Sequence, residues 1–502
     1  MTAPAAMFSA PAAPHGPARA ARSGPGAALL ALLGGGLALA LSGRPLLAVA
    51  AVPAALAGLW LLLNPFAGMT ALAAFSQLDG FALMLSKALP LSAFKLLTAV
   101  TLAAIVIEAA RHRTWAGRPR PSAVVTLSLC FACWLVVSYL VSDYRAAGRN
   151  HLIGFLSTIL LVPMLALTAT SHARVRLLIL VVGVSGAISA ALVILETLTG
   201  IRIIPHADPA DIAAWRGQVR SAGASAYNPT TAAHMVLASS FVWILLAIEG
   251  RQRRALCAGL AALCLVALAM MAARSAILAL AVTGLVLLWR YRGRRIFPLV
   301  VALGLSLSLA ALPFLPETTT QRFAAVFQGA NTSDRTLLRR MSYNLIGVEQ
   351  VIRHPVAGIG PGAYPTVYAG HEYRWYPGRE QGGRQLHNAY MEVAAETGLV
   401  GLALFLAVLL TAFTAVVRTA RAERDPQRAA LARGLAYGFG AFLLASLFMP
   451  NEDTKYMWLL AALSGQLALT AGRETMPRPA PAPAPQTDPR RLLARPAPGD
   501  RT

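Results

Sequence analysis

The feature that most constrains this chain is the repetition, along most of its length, of apolar runs long enough to cross a bilayer. A helix needs about 20 mainly apolar residues to do so. Such runs lie near 27–43, 46–63, 67–86, 91–110, 122–141, 151–169, 174–198, 230–248, 255–272, 275–290, 296–314, 398–417, 428–448 and 455–472. Ser76, Asp79 and Lys87 weaken the third. The expectation is an all-α, polytopic integral membrane helix bundle of about 12 to 14 transmembrane helices. The composition agrees: 57% of the 502 residues are hydrophobic and 13% charged, where soluble chains carry about a quarter charged.

The formal charge of +23 would suggest nucleic acid in a soluble chain. Here the arginines cluster in short loops between apolar runs, and no basic groove interleaved with aromatics is present, so no nucleic-acid partner is expected. Arg111, Arg113, Arg118 and Arg120 form one such loop, and Arg251, Arg253 and Arg254 a second. Arg290, Arg292, Arg294 and Arg295 form a third, and Arg418, Arg421, Arg424 and Arg428 a fourth. With these four inside, as the positive-inside rule requires, the spans alternate without contradiction. That places 199–229, the short turn around Arg274 and the long loop 315–397 outside. The expected order is a disordered cytoplasmic N-terminus (1–26), a transmembrane bundle (27–314), a large periplasmic loop (315–397), C-terminal spans (398–472) and a disordered basic tail (473–502). The polar leader is long and a second span follows at once, so the first helix reads as retained rather than as a signal peptide. The tail is Pro/Ala-rich and basic, suited to lying near anionic lipid. Cys130, Cys133, Cys257 and Cys264 all fall inside apolar runs. The Cys130-Phe131-Ala132-Cys133 spacing matches a redox motif, but that chemistry needs an exposed thiolate near a soluble fold. These cysteines read as small buried apolar side chains.

The outer loop has its own organisation. Leu337, Met341, Leu345, Val348 and Ile352 recur at helical spacing with polar residues elsewhere, which predicts an amphipathic helix against the bundle or along the membrane surface. It stops at His354-Pro355. GIGPGAY (358–364) follows. It is no dinucleotide fingerprint, since Ala363 stands for the last glycine and no βαβ unit surrounds it. Its glycines suit tight turns. The aromatics of HEYRWYPG (371–378) could stack on sugars or anchor at the interface.

Ionisable residues are sparse within the spans and concentrated in this loop, which favours chemistry at the outer surface over transport through the middle. In QLHNAYMEVAAETGLVG (385–401), Asn388 is a good N-cap for a helix running from Ala389 into the span beyond Gly398. His387 would precede a helix N-terminus, whose positive end disfavours imidazolium and favours a nearby phosphate. A neutral imidazole there suits a general base; a loop histidine beside a routine cap is the plain alternative. Glu392 and Glu396, one turn apart, read as supporting or solvated residues rather than a glycosidase pair. His354, His371 and His387 lack the spacing of a zinc helix, so no metal is expected.

That stretch resembles the signature of the O-antigen ligase and O-antigen polymerase superfamily: His, then Asn, Ser or Gln, nine residues, Gly, two residues, Gly. His387, Asn388, Gly398 and Gly401 fill it completely. RHPVAGIGPGAY (353–364) resembles the family's His-Pro and Gly-rich turn. RSAGASAYNPTTAAH (220–234) resembles the segment with an arginine before Asn-Pro, although Thr230 and Thr231 stand where a second Asn is frequent. MAARSAILAL (271–280) resembles a Ser-Arg turn in which Ala273 replaces the serine and Arg274 carries over. Arg339 and Arg340 both lie where another family arginine is found.

The resemblance implies a metal-independent glycosyltransferase without cofactor, in the bacterial inner membrane with its active site facing the periplasm. Its donor would be a glycan on undecaprenyl diphosphate. His387 would be the catalytic base, with Arg220, Arg274, Arg339, Arg340 and Asn388 binding substrate; interfacial snorkelling is the alternative for Arg220 and Arg274. Ligation of O-antigen to lipid A–core is the first reading, and polymerisation of O-antigen or exopolysaccharide repeats the second. Protein O-glycosylation is a third, and a lipid-linked glycan transporter the rival from another class.

Overall fold

The computed structural model describes residues 56–86, 92–112, 121–204, 220–226, 228–293, 335–379 and 382–475. The segment 1–26, the runs 27–43 and 296–314, the stretch 315–334 of the outer loop and the tail beyond 475 lie outside them. The protein is an all-α polytopic membrane bundle, with no strand among the described residues. Eight described helices are long and apolar enough to cross a membrane, or nine if a bent pair counts as one span.

The chain divides into two units: Met1–Met69 with Leu96–Arg118, and Thr70–Lys95 with Pro119–Thr502. Helix α1 (Leu56–Leu63) meets α2 (Pro65–Phe75) at a bend of 110°. Pro65 removes a backbone donor and restricts Asn64, which ends the first helix there. The third apolar run is not one span. It breaks between α2 and α3 (Asp79–Ser86) because its polar residues have buried partners. Asp79 accepts from Ser225 Oγ at 3.0 Å and from Ala226 N at 3.1 Å, and Ser239 Oγ donates to Gln77 Oε1 at 3.0 Å.

After α4 (Ala93–His112) come α5 (Ala123–Val141), α6 (Arg145–Ile159), α7 (Leu161–Thr168) and α8 (His172–Thr199). The jog between α6 and α7 is set by Pro163, which lacks a donor and crowds the carbonyl four residues back. Then follow α9 (Pro229–Glu249), α10 (Arg254–Met271) and α11 (Arg274–Tyr291). Helix α9 is the centre of the bundle and is buried along almost its whole length. Small residues let its neighbours approach. A Cβ at Gly438 would lie 2.3 Å from the Ala238 carbonyl oxygen, and one at Gly434 2.7 Å from Val242 Cα. Between membrane helices such close packing replaces the hydrophobic drive that operates in water. Trp243 Nε1 donates to Gly183 O at 2.9 Å where α8 crosses. Cys257 and Cys264 are buried as expected, but Cys130 and Cys133 are exposed on α5, which places them on the apolar outer surface of a span.

The C-terminal part comprises α12 (Arg335–Arg353), α13 (Tyr364–Tyr368), a 3-10 turn at His371–Tyr373, α14 (Ala389–Ala422), α15 (Pro426–Ala445) and α16 (Lys455–Thr475). Helices α15 and α16 are long enough to span but less apolar, and neighbouring helices cover most of their surface.

Helix α12 is amphipathic, but the face that packs on protein is not the aliphatic stripe. Tyr343, Ile346 and Gln350 are buried in a small core with Ile359, Tyr364, Tyr368, Tyr373 and Leu386. Polar edges are satisfied there: Tyr364 OH donates to Tyr343 O at 2.7 Å, and Gln350 Nε2 donates to Tyr373 OH at 2.6 Å. Aromatic side chains with a polar tip can fill such a core, which leaves the aliphatic stripe to the membrane-surface alternative of the sequence reading. Met341, Leu345, Val348 and Ile352 remain uncovered by protein. This stripe runs on through exposed Val356 to Pro355, whose carbonyl accepts from Leu399 N at 2.8 Å. Exposed Leu399 and Val400 then begin the apolar outer surface of α14. The stripe is thus continuous with a span, and the surface of the bilayer is where it should lie. In nanodiscs, spin labels on Leu345→Cys and Ile352→Cys should be relaxed more by oxygen than by a water-soluble nickel chelate, with the order reversed on Asn344→Cys. Equal aqueous access at all three positions would place the helix off the membrane.

Candidate functional site

Asn388 caps α14, its Oδ1 accepting from Tyr390 N at 3.1 Å and Met391 N at 3.2 Å. The helix does not run straight into the span. At Gly398, φ is 70° and ψ −177°, a conformation essentially confined to glycine. A Cβ there would lie 2.1 Å from Val356 O. The break interrupts the intrahelical pattern, and the carbonyls at the end of the short helix, 389–397, find other donors. Ile359 N donates to Ala395 O at 3.0 Å and Gly360 N to Glu396 O at 2.8 Å. From α5, Ser138 Oγ donates to Glu396 O at 3.0 Å and Trp134 Nε1 to Thr397 O at 2.8 Å. Gly358, Gly360 and Gly362 all have positive φ, so the Gly-rich segment makes the tight turns its sequence implies. A Cβ at Gly401 would meet Thr397 Oγ1 at 2.0 Å and Trp134 Cδ1 at 3.0 Å. The sequence spacing therefore has a structural meaning: cap, a nine-residue helix, a break, then close packing one turn on.

Glu392 and Glu396 are both buried, not solvated. Glu392 Oε2 accepts from Leu386 N at 3.1 Å. Glu396 accepts from Gly362 N at 2.8 Å and Tyr364 N at 3.1 Å. Each carboxylate holds backbone on one side of the short helix: the turn before His387, and the Gly-rich turn.

His387 itself has φ 60°, uncommon for a non-glycine residue and costing on the order of 1–3 kcal/mol. Its position is over-determined on both sides. Leu386 is buried against Gly347 of α12, where a Cβ would lie 2.4 Å from Leu386 Cδ1. On the other side Ala389 N donates to Ser446 O at 3.0 Å. The imidazole packs against Tyr343, with ring centroids 5.2 Å apart, and its Nδ1 is buried with no hydrogen-bond partner among the described residues. Burial, and then the positive charges of Arg340, Arg384 and Arg339, lower its pKa from 6.5 to about 4. The sequence argument for a neutral imidazole rested on the helix N-terminus; here burial and three arginines provide it.

Arg340 is the largest charged neighbour of His387 and links it to Arg274. Desolvation, followed by the like charge of Arg274, lowers the Arg340 pKa from its ordinary value. Arg274 is exposed at the first position of α11, and Ala273 provides no side-chain cap. Arg220 approaches the same turn from behind. Its Nε and Nη2 donate to Met271 O at 3.0 and 2.7 Å, and Nη1 donates to Thr230 Oγ1 at 3.2 Å. This fork closes the C-terminal end of α10, where Ala272 takes a left-handed conformation. The structure thus gathers His387, Asn388, Arg274, Arg339 and Arg340 at one end of the bundle, with Arg220 supporting the Arg274 turn through protein contacts. Sequence reading had missed Arg384, three residues before His387. It had also passed over His234, Ser446 and Asn451, although the polar triplet Asn451-Glu452-Asp453 between two apolar runs was a visible signal.

Residues 259–406 match the O-antigen ligase family profile; His387, Asn388, Gly398 and Gly401 all fall inside. A 155-residue stretch is 33% identical to the exopolysaccharide production protein ExoQ of Rhizobium meliloti (strain 1021). That alignment covers 30% of this chain and 34% of the relative's length.

Gly398→Ala forces a Cβ into the Val356 carbonyl and a glycine-only conformation, at a cost of about 1–3 kcal/mol or more. Its melting temperature in detergent should fall by several degrees. Gly284→Ala, where a Cβ meets nothing within 4 Å, should leave the melting temperature level or raise it. Equal behaviour of the two variants would dismiss the break as the cause.

Proposed function

We propose that this multi-pass membrane protein, whose residues 259–406 match the O-antigen ligase profile, belongs to the O-antigen ligase and polymerase superfamily and is a glycosyltransferase. It moves a glycan from undecaprenyl diphosphate to an acceptor hydroxyl on the periplasmic face of the bacterial inner membrane. The observation that carries this reading is the convergence of a half-buried histidine, its Nδ1 enclosed against Tyr343, with several arginines at one end of the bundle.

A hydroxyl of the acceptor attacks the anomeric carbon while the bond from that carbon to the diphosphate oxygen breaks. His387 takes the hydroxyl proton as the new glycosidic bond forms, and direct attack inverts the anomeric centre. The departing undecaprenyl diphosphate gains negative charge. Arg274 and Arg340, with Arg339 and Arg384 nearby, would hold it, since guanidinium forks match phosphate oxygens. The first-turn amides of α11 point the same way. Asn388 keeps the His387 turn in place, and Arg220 shapes the turn that presents Arg274.

The acceptor in the first reading is lipid A–core, as the ligase description of the matched family suggests. The resemblance to an exopolysaccharide production protein favours a second acceptor, the sugar end of another lipid-linked chain. An electrophoretic lipopolysaccharide profile of a deletion strain separates them. Bare core with accumulating lipid-linked polymer means ligation, and core with a single repeat means polymerisation of O-antigen. Loss of secreted polysaccharide with unchanged lipopolysaccharide means exopolysaccharide polymerisation.

His387→Ala should reduce transfer by about 10²–10⁴-fold, the usual contribution of a general base, while protein level and the outward supply of lipid-linked glycan stay normal. Wild-type transfer rates in that variant would sink the base assignment, and failed translocation would favour a transporter.

The active form of His387 is the unprotonated one, so kcat/KM, which reports the free enzyme, should fall as pH drops through about 4. Bound diphosphate offsets the arginine charges that hold this pKa down, so the acid limb of kcat should lie higher. Two limbs at the same pH would separate the base from the arginine cluster.

A further inference from the structure

The reaction proposed above needs the arginine turn and the histidine turn held in fixed relation, yet they belong to different helices. A buried chain of neutral polar groups runs between them. Ser275, the residue after Arg274, lies 2.7 Å through Oγ from His234 Nε2. His234 Nδ1 lies 3.0 Å from Asn451 Nδ2, which also donates to Ser446 Oγ at 3.0 Å. Ser446 O accepts from Ala389 N, two residues after His387. Thr231 Oγ1 donates to Asn451 Oδ1 at 3.3 Å. With the Asn451 amide donating, His234 accepts at Nδ1 and donates from Nε2 to Ser275. His234, Ser446 and Asn451 have no exposed surface, and His234 is packed edge-on against Phe442 at 6.4 Å between centroids.

We infer that His234, Asn451 and Ser446 are positioning residues that fix the Arg274 turn relative to the His387 turn, so that the base and the diphosphate-binding charges align in the transition state. This inference rests on the glycosyltransferase reading. His234 reaches the two turns through Ser275 and Asn451, so its influence on the reaction is geometric. Misplacing a catalytic group by about 1 Å can cost on the order of 10²-fold in rate. Loss of the link should therefore appear in kcat, with donor binding largely retained.

The test uses the full-length protein in proteoliposomes, with metabolically labelled undecaprenyl-diphosphate-linked saccharide from the host as donor. Rates are taken per folded molecule, judged by monodispersity and melting temperature. His234→Leu should lower kcat by about 10-fold or more with donor KM within about twofold. His234→Gln restores a donor at the Nε2 position and should recover most of the loss. The pH profile of the residual activity should keep the acid limb assigned to His387. Ser275→Ala removes a single hydroxyl from the end of the chain and should lower kcat in the same direction, which keeps the test open if His234→Leu does not fold. Wild-type kcat in the folded variants, a loss confined to KM, or a vanished acid limb would each overturn the positioning role. A wild-type protein that transfers nothing from this donor would overturn the glycosyltransferase reading, and the inference with it.

Discussion

The site depends on one interrupted helix. Inside a bilayer-facing bundle an unsatisfied carbonyl costs several kcal/mol, so α14 can break at Gly398 only where donors are waiting. They come from two directions: backbone amides of the Gly-rich turn, and Ser138 and Trp134 on α5. The same contacts fix the tilt of the short helix 389–397, and through it the cap at Asn388 and the backbone of His387. Leu399 N on Pro355 O fastens the end of α12 to the same break. Glu392 and Glu396 then secure the two flanking turns from within. The candidate site is built on the broken end of a membrane span, and a rigid helix terminus gives it more precise placement than a free loop would.

Electrostatics at this end of the bundle runs against stability. Burial, and then the like charge of Arg274, lowers the Arg340 pKa; burial, and then Arg340, Arg384 and Arg339, disfavours a charged His387. A protein selected only to be stable would separate such charges. Their gathering fits a ligand that brings two or more negative charges, because the binding energy of the anion includes relief of that repulsion. Sites that violate a local rule of this kind are where function is to be sought.

Much of this was legible in the amino-acid sequence, and the parts that were not share a physical cause. Apolar run length located most spans, and the spacing from His387 to Gly401 pointed to the candidate site and to the short helix that carries it. Periodicity found α12 as an amphipathic helix but left open which face packs on protein; tyrosines and a glutamine fill that face while aliphatic residues face outward. It also merged α2 and α3 into one span, since hydropathy carries no information about whether Asp79 has a partner at Ser225. Nothing in the local pattern showed that the helix after Asn388 breaks at Gly398; glycine inside a membrane helix is common, and it is the backbone conformation here together with the neighbouring Val356 carbonyl that makes this one obligatory. His234 was invisible for a related reason. Its role comes from Ser275 and Asn451, 41 and 217 residues away along the chain.

The chemistry of the link between the two turns also follows from its surroundings. An ion pair would hold two helices together, but burying charges costs several kcal/mol each, and a carboxylate near Arg274 would compete with any anionic ligand for it. Hydroxyl, imidazole and amide groups avoid both difficulties. Each satisfies its neighbour, adds no net charge beside the arginines, and loses strength if the geometry drifts, since hydrogen bonds weaken steeply with misalignment. The carboxylates that do approach the region are placed behind it. Glu196 pairs with Arg202 and accepts from Ser221, steadying the loop that carries Arg220, and Glu392 faces the Leu386 amide. The ion pair of Glu196 with Arg202 is thus held within the protein, at the loop that carries Arg220.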